Sequence, residues 1–334
     1  MQPLRVEASR GPLVESIHPV SVAVVDAEGR LTAQAGDPTL VTFWRSAAKP
    51  FQSMPLVADG AASRFGLDDE ELALTCASHS SEPAHLAVVD RMLQKIGEPE
   101  TALACGPHPP LSPEVATAVV RERAVMSPRW SNCSGKHAGM LALAKHHGWP
   151  TAGYQRAGHP LQDRLLVEVS RWTEVDPERI HRAVDGCTTV CYGLPLAGMA
   201  LGYARFGVSA DPAARRLWTA MTSRPFMIAG TGRTCTEVMT TMPGEIVAKI
   251  GADGIYCAAL PRHRLGLALK VHDGDMSASS VALIAVLDQL FGHLGDDASA
   301  SALLARGLGG DKPIVSTRGE PVGAVRVAGR LAFS

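Results

Sequence analysis

Apolar and polar positions change period along the chain. PVSVAVVDAEGRLTAQAG alternates, with a turn at Asp26-Ala27-Glu28-Gly29, and predicts two strands of a hairpin over residues 20–36. The period then becomes helical. SAAKPFQSMPLVADGAA predicts a helix interrupted by Pro50 and Pro55. DDEELALTCA begins with an acidic first turn, and SEPAHLAVVDRMLQKIG starts near Ser81 or Glu82 and stops at Gly97. SPEVATAVVRER, SGKHAGMLALAKHHG (Ser134 to Gly148), HPLQDRLLVEVSRWTEV, DPERIHRAV, LPLAGMALGYARFG and DPAARRLWTAMTSR continue the helical series. From about residue 244 short β-rich runs return between Gly and Pro turns. MSASSVALIAVLDQLFGHL is then a long apolar helix, and PVGAVRVAGRLAFS ends in strand-like alternation.

Strands at both ends with helices between them predict an α/β (α+β) fold. Its sheet is mainly antiparallel, is built from the two termini, carries flanking helices and has a helical lobe inserted. The expected division is residues 1–60 with 240–334 as a mixed domain and 61–239 as a mostly helical one, with the active site between them. No linker, low-complexity segment or repeat interrupts this order.

The chain has 334 residues, 46% of them hydrophobic, and a net charge of −1, enough for a sizeable core. Neither a basic stripe nor an Arg/Lys run points to nucleic acid. The start, MQPLRVEASRG, lacks the apolar run of a signal peptide, and no apolar segment is expected to be long enough to span a membrane. A cytoplasmic protein is the expectation. The seven cysteines are an odd number in a long chain and do not suggest a disulfide framework. Only seven of the 32 basic side chains are lysines: Lys49, Lys95, Lys136, Lys145, Lys249, Lys270 and Lys312. Arginine is the ordinary cation here. A lysine then marks positions where a group able to release its proton is wanted.

Four stretches and one strand lysine could carry chemistry. In SAAK, Ser46 and Lys49 lie three residues apart at a helix start and share one face. They are either a nucleophile with its base or a cap followed by a surface lysine. As a base the amine must fall from its reference pKa of about 10.4. In CASHSSEPAH, Ser78 is a second nucleophile or a substrate ligand, and His79 and His85 are possible metal ligands. The same loop also reads as the cap of the following helix. In SNCSGKHAGM, Cys133 precedes Lys136 by three, and a helix start with a nearby cation favours a thiolate, either reactive or metal-bound. A buried thiol beside a paired lysine fits equally. In VDGCTTVC, Asp185 and Cys187 flank a glycine. With Cys133 they form a sulfur and oxygen set matched best by zinc, unless Asp-Gly is simply a turn. Lys270 interrupts the apolar strand LGLALKV, either paired inside or facing solvent at an edge. GTGR at Gly230–Arg233 lacks the strand–helix context of a phosphate loop.

SAAK, CASHS, NCSGKH, DGC and YCAAL…LALK occur in one order, and that order resembles the bacterial asparaginases of the Rhizobium etli inducible type, also called class 3. The resemblance spans nearly the whole chain. It implies a fold similar to serine β-lactamases and the glutaminases of that fold, a homodimer, and hydrolysis of L-asparagine to aspartate and ammonia. It further implies two Ser–Lys pairs, Ser46–Lys49 and Ser78–Lys270, and zinc bound by Cys133, Lys136, Asp185 and Cys187. Arg45, His79, Glu82 and Arg224 are expected to hold the charged ends of the substrate. The KTG and SDN motifs of true β-lactamases and the threonine motifs of the common bacterial asparaginases are missing, so neither of those chemistries is expected.

Overall fold

The computed structural model describes residues Met1–Ser334. The strands are β1 (Leu4–Arg10), β2 (Leu13–Asp26), β3 (Leu31–Ala35), β4 (Val41–Phe43), β5 (His181–Val184), β6 (Val190–Pro195), β7 (Val247–Gly251), β8 (Ile255–Leu260), β9 (Leu265–Val271), β10 (Lys312–Val315), β11 (Pro321–Ala328) and β12 (Ala332–Phe333). The helices are α1 (Lys49–Ala58), α2 (Ala61–Arg64), α3 (Asp69–Thr75), α4 (Pro83–Ile96), α5 (Pro113–Glu122), α6 (Ser134–His147), α7 (Pro160–Thr173), α8 (Leu196–Val208), α9 (Pro212–Ser223), α10 (Pro225–Ile228), α11 (Thr234–Thr241), α12 (Met276–Leu294) and α13 (Asp297–Ala305).

The chain forms two compact units. One comprises Met1–Thr42, Leu194–Val208 and Ala248–Ser334, and the other Phe43–Gly193 with Ser209–Val247. The expected division put the first boundary at residue 60. In the structure it falls at Thr42, so the SAAK segment lies in the second unit, and α8 belongs to the first.

The first unit is built on a nine-stranded sheet ordered β10-β11-β1-β2-β9-β8-β7, with β3 pairing β2 and β12. The pairs β1–β2, β2–β9, β8–β9 and β1–β11 are antiparallel, joining the two termini as the alternating patterns require. Helix α8 sits directly on β9. A side chain at Gly266 would meet Ala200 O at 2.1 Å and Ala204 N at 2.3 Å, so only glycine permits that approach. Helix α12 corrects one expectation, because by length and composition it could cross a membrane. Here Ala282, Leu283, Val286, Leu287, Leu290 and Phe291 are buried, and the helix packs on β9, β8 and β11.

The second unit is a helical bundle in which β5 pairs antiparallel with the Val190–Gly193 part of β6. Helix α1 is its centre, buried from Lys49 to Leu56 and packed on α6, α7 and α9. Helix α6 is likewise buried from Ser134 to Ala144 and crosses α3 closely, with a Cβ at Gly139 falling 2.9 Å from Thr75 Cγ2. The helix expected over DPERIHRAV is instead a 3₁₀ turn, Pro177–Arg179, followed by β5. The run is too short to nucleate a stable helix, and pairing of His181–Val184 with β6 satisfies its backbone. Local patterning did not anticipate β4, β6 or the short helices α10 and α11.

Candidate active site

A 3₁₀ turn, Arg45–Ala48, leads into α1, and Pro50 is tolerated because the first helical turn needs no donor there. Ser46 lies in that 3₁₀ turn, three residues before Lys49, which begins α1. The turn opens with Arg45 in the left-handed region, φ 52°, where a side chain is strained. The Arg45 guanidinium holds it there, donating from Nε and Nη2 to Asp185 Oδ1 at 3.0 Å each.

Lys49 is 1% exposed, and its Nζ donates to Ala77 O and to Ser78 Oγ, the latter at 3.1 Å. One buried amine therefore joins the first stretch singled out in the sequence to the second. Ser78 is itself 4% exposed, and its N–H donates to Ile228 O at 2.9 Å. Ser46 is only half-buried.

The two histidines of this loop serve the fold. The Ser81 N–H donates to His79 Nδ1, so His79 Nε2 carries the proton and donates to Ser134 Oγ at 2.9 Å. Ser134 in turn donates to Arg129 O. Burial, then the charges of His85 and Lys49, hold His79 well below the usual histidine pKa. His85 Nδ1 accepts from the Glu82 N–H, its Nε2 meets Phe226 O at 3.1 Å, and the ring stacks on Phe226. All four ring nitrogens are engaged within the protein, which leaves none for a metal or a substrate. Glu82 caps α4 and spends both oxygens on Thr231, accepting from its N–H at 2.8 Å and its hydroxyl at 2.7 Å. Arg224 ends α9 and is exposed.

Cys133 caps α6, and Lys136 lies in its first turn. The Lys136 ammonium donates to Cys187 Sγ at 3.0 Å, and the Cys133 thiol donates to the same sulfur. The Cys133 proton and then Lys136 hold the Cys187 thiol far below its ordinary pKa, while that shared proton and burial push Cys133 up. Burial alone would lower Lys136, but the Cys187 charge outweighs it and raises the amine. Burial would raise Asp185, but Lys136 and Arg45 bring it down. Three of the four expected ligands thus meet, two sulfurs and an amine whose chemistry suits a soft tetrahedral ion. The fourth, Asp185, turns to Arg45, and no ready-made group of three His, Cys, Asp or Glu ligands forms.

Lys270 belongs to the first unit. It lies on β9, half-buried, with its amine on Val271 O, and burial lowers its pKa.

The model of one protein family, described as L-asparaginase II, matches residues 6–327. The chain belongs to that family. The resemblance drawn from the ordered motifs pointed to the same place. No curated protein matches the chain. Among solved structures it is similar to a β-lactamase of Mycobacterium bovis, Mb2281c, at 13% identity and TM-score 0.39, covering 86% of this chain and 94% of that one. It is also similar to Mglu crystallised in its native form with 4.3 M NaCl, at 16% identity and TM-score 0.35 over 78% of this chain. A second native Mglu structure aligns at 18% identity and TM-score 0.33 over 79% of this chain. The chain spans 57% and 64% of those two Mglu chains.

In this family member, several residues around the site were missed by sequence reading. Tyr154 OH accepts the Ala104 N–H at 3.0 Å and is hydrogen-bonded to His137 Nδ1 at 2.6 Å. Thr188, in the left-handed region at φ 76°, donates to Ala104 O at 3.0 Å, so the Ala104 carbonyl braces the Asp185–Thr189 loop while its N–H is held by Tyr154. The Ala77 carbonyl that receives Lys49 is backbone and has no side-chain signature. A lone tyrosine in a glycine-containing loop gives no motif either. Arg233, in the dismissed GTGR stretch, donates to Ser80 Oγ at 3.1 Å.

Proposed function

We propose that this chain hydrolyses L-asparagine to L-aspartate and ammonia through a serine ester. The carrying observation is the buried Lys49 amine, hydrogen-bonded to Ser78 Oγ and one 3₁₀ turn after Ser46. Membership of the L-asparaginase II family supports an amide substrate. Ser46 is the attacking hydroxyl in this proposal, because it is the more exposed of the two serines and can reach a bound molecule. Lys49, as the free amine, takes the Ser46 proton while Oγ bonds to the side-chain amide carbon. The proton passes by way of Ser78 to the departing nitrogen as the C–N bond breaks and ammonia leaves. Water then attacks the ester and restores the serine. Lys270 keeps the supporting role that the resemblance assigns it.

Cys133, Lys136 and Cys187 would hold zinc, with Asp185 as a further ligand once released from Arg45. Bound there, the ion would add a fixed positive charge that orients the substrate.

Ammonia release from L-asparagine and from L-glutamine, with hydroxylamine present to trap the ester, tests this reading. The expected result is preference for asparagine and formation of β-aspartyl hydroxamate by the wild type. S46A and K49A should retain the fold and lose nearly all turnover. Full activity in S46A removes the nucleophile assignment, and preference for glutamine replaces the substrate.

A further inference from the structure

We propose that Arg233 binds the α-carboxylate of the substrate, an inference that rests on the asparagine reading above. An amino-acid amide brings a carboxylate only two carbons from the bond that is cut, so a cation is needed beside the Lys49–Ser78 pair. Arg45 is already neutralised by Asp185, and Arg224 is exposed at the end of α9. Arg233 is half-buried and forms no ion pair, and its side-chain contact is one hydrogen bond to the neutral Ser80 Oγ. Ser80 spends its own proton on Ala229 O at 2.8 Å. A guanidinium has five donors in a planar fork, which leaves Arg233 a free bidentate edge of the kind carboxylates take. Partial burial without an anion is unfavourable, and a bound carboxylate offsets it.

The placement is built. Ser80 follows Ser78 by two residues, at most about 7 Å along the chain, and both hydrogen-bond to the Ile228–Ala229 segment. The loop that carries Arg233 is pinned by the two Thr231–Glu82 bonds and by the Gly230 N–H on Thr236 Oγ1 at 3.3 Å. Gly230 has φ 118°, and a Cβ there would strike Glu82 Oε1 at 2.3 Å, so the loop closes on Ser80 and Glu82 only with glycine. Because Glu82 is committed to Thr231, it leaves Arg233 for a ligand.

The test compares L-asparagine with L-asparaginamide, which keeps the side-chain amide and lacks the carboxylate. Product formation is followed by chromatography for wild type, R233Q and R233K. R233Q should raise KM for asparagine about 10- to 100-fold, the range for losing a charged hydrogen bond, with an unchanged melting temperature. On asparaginamide the penalty should shrink to within about threefold, and R233K should fall between wild type and R233Q on asparagine. An unchanged KM for asparagine in R233Q, or equal penalties on both substrates, overturns the assignment. If R233Q melts early, R233K decides: a selective rise on asparagine supports the proposal, and parity on both substrates defeats it. If the wild type releases no ammonia from asparagine, the asparaginase reading fails by itself. Arg233 is then judged by calorimetry with L-aspartate, where binding lost in R233Q supports the carboxylate site and equal binding refutes it.

Discussion

Replacing Gly135 by alanine would test how tightly the bundle holds the candidate site. Gly135 is helical, and in an unobstructed helix interior Gly→Ala stabilises by about 1 kcal/mol. Here the new Cβ would lie 2.4 Å from Leu74 O and 2.6 Å from Leu74 Cγ, roughly 1 Å inside ordinary contact. The oxygen cannot step aside freely, since it accepts the Ala77 N–H at 3.1 Å. Displacing it would move Ala77 and Ser78, the two partners of the Lys49 amine. Nor can α6 pivot away about its next turn, because Gly139 makes a second close approach to Thr75. Overpacking of this kind costs about 3 kcal/mol, so the clash outweighs the propensity gain by about 2 kcal/mol. For a unit of this size each kcal/mol shifts melting by about 2–4 °C. G135A should therefore melt about 4–8 °C below wild type. A shift of the Lys49–Ser78 geometry by a fraction of an ångström to 1 Å should also lower kcat/KM by up to about a hundredfold. Calorimetry with an ammonia-release assay reads both quantities. A G135A protein that melts at or above the wild-type temperature and keeps full turnover would refute the proposed close packing of α6 on α3.

The converse substitution lies on α12, where a Cβ at Gly292 meets nothing within 4 Å, so G292A should stabilise by about 0.5–1 kcal/mol, read as a raised melting temperature. Y154F removes the acceptor of Ala104 N–H and the hydrogen-bond partner of His137, and should destabilise by about 1–3 kcal/mol in denaturant unfolding, whereas a neutral result would mean the hydroxyl braces nothing. Burial would raise the Asp59 carboxyl, but hydrogen bonds from Arg164 and His147 bring it below the usual carboxylate range. Stability from a depressed carboxyl is present above the unfolded value of about 3.9 and disappears as pH falls through the lower folded value. The melting difference between wild type and D59N should therefore be full at neutral pH and close in strong acid. C187A should lose metal by elemental analysis of the purified protein, and an unchanged zinc content would remove Cys187 from the proposed ligand set.

Several functional candidates were legible because their signal is local. Ser46 and Lys49 are three apart at a helix start, a spacing that can be read directly from the sequence. Lys136 and Cys133 were legible for the same reason. The partner of Lys49 was not: Ser78 lies 29 residues away, and Cys187 lies 51 residues from Lys136. His79 and His85 looked like ligands because a histidine-rich polar loop has the same composition whether its rings face a metal or the backbone. Helix α12 shows the same ambiguity for apolar surface, since one hydropathy fits a bilayer or the cover of a sheet.

The sequence alone determined most of the helices, that strands from both termini build the sheet, and which few lysines and cysteines could carry chemistry. These follow from forces acting over a turn of helix or a pair of strands. The tertiary structure decided the rest: Lys49 joins Ser78, Arg45 claims Asp185, and Arg233 is left without an anion. A hydrogen bond or ion pair is chosen among all groups brought within about 3 Å, and that list exists only once distant segments have packed.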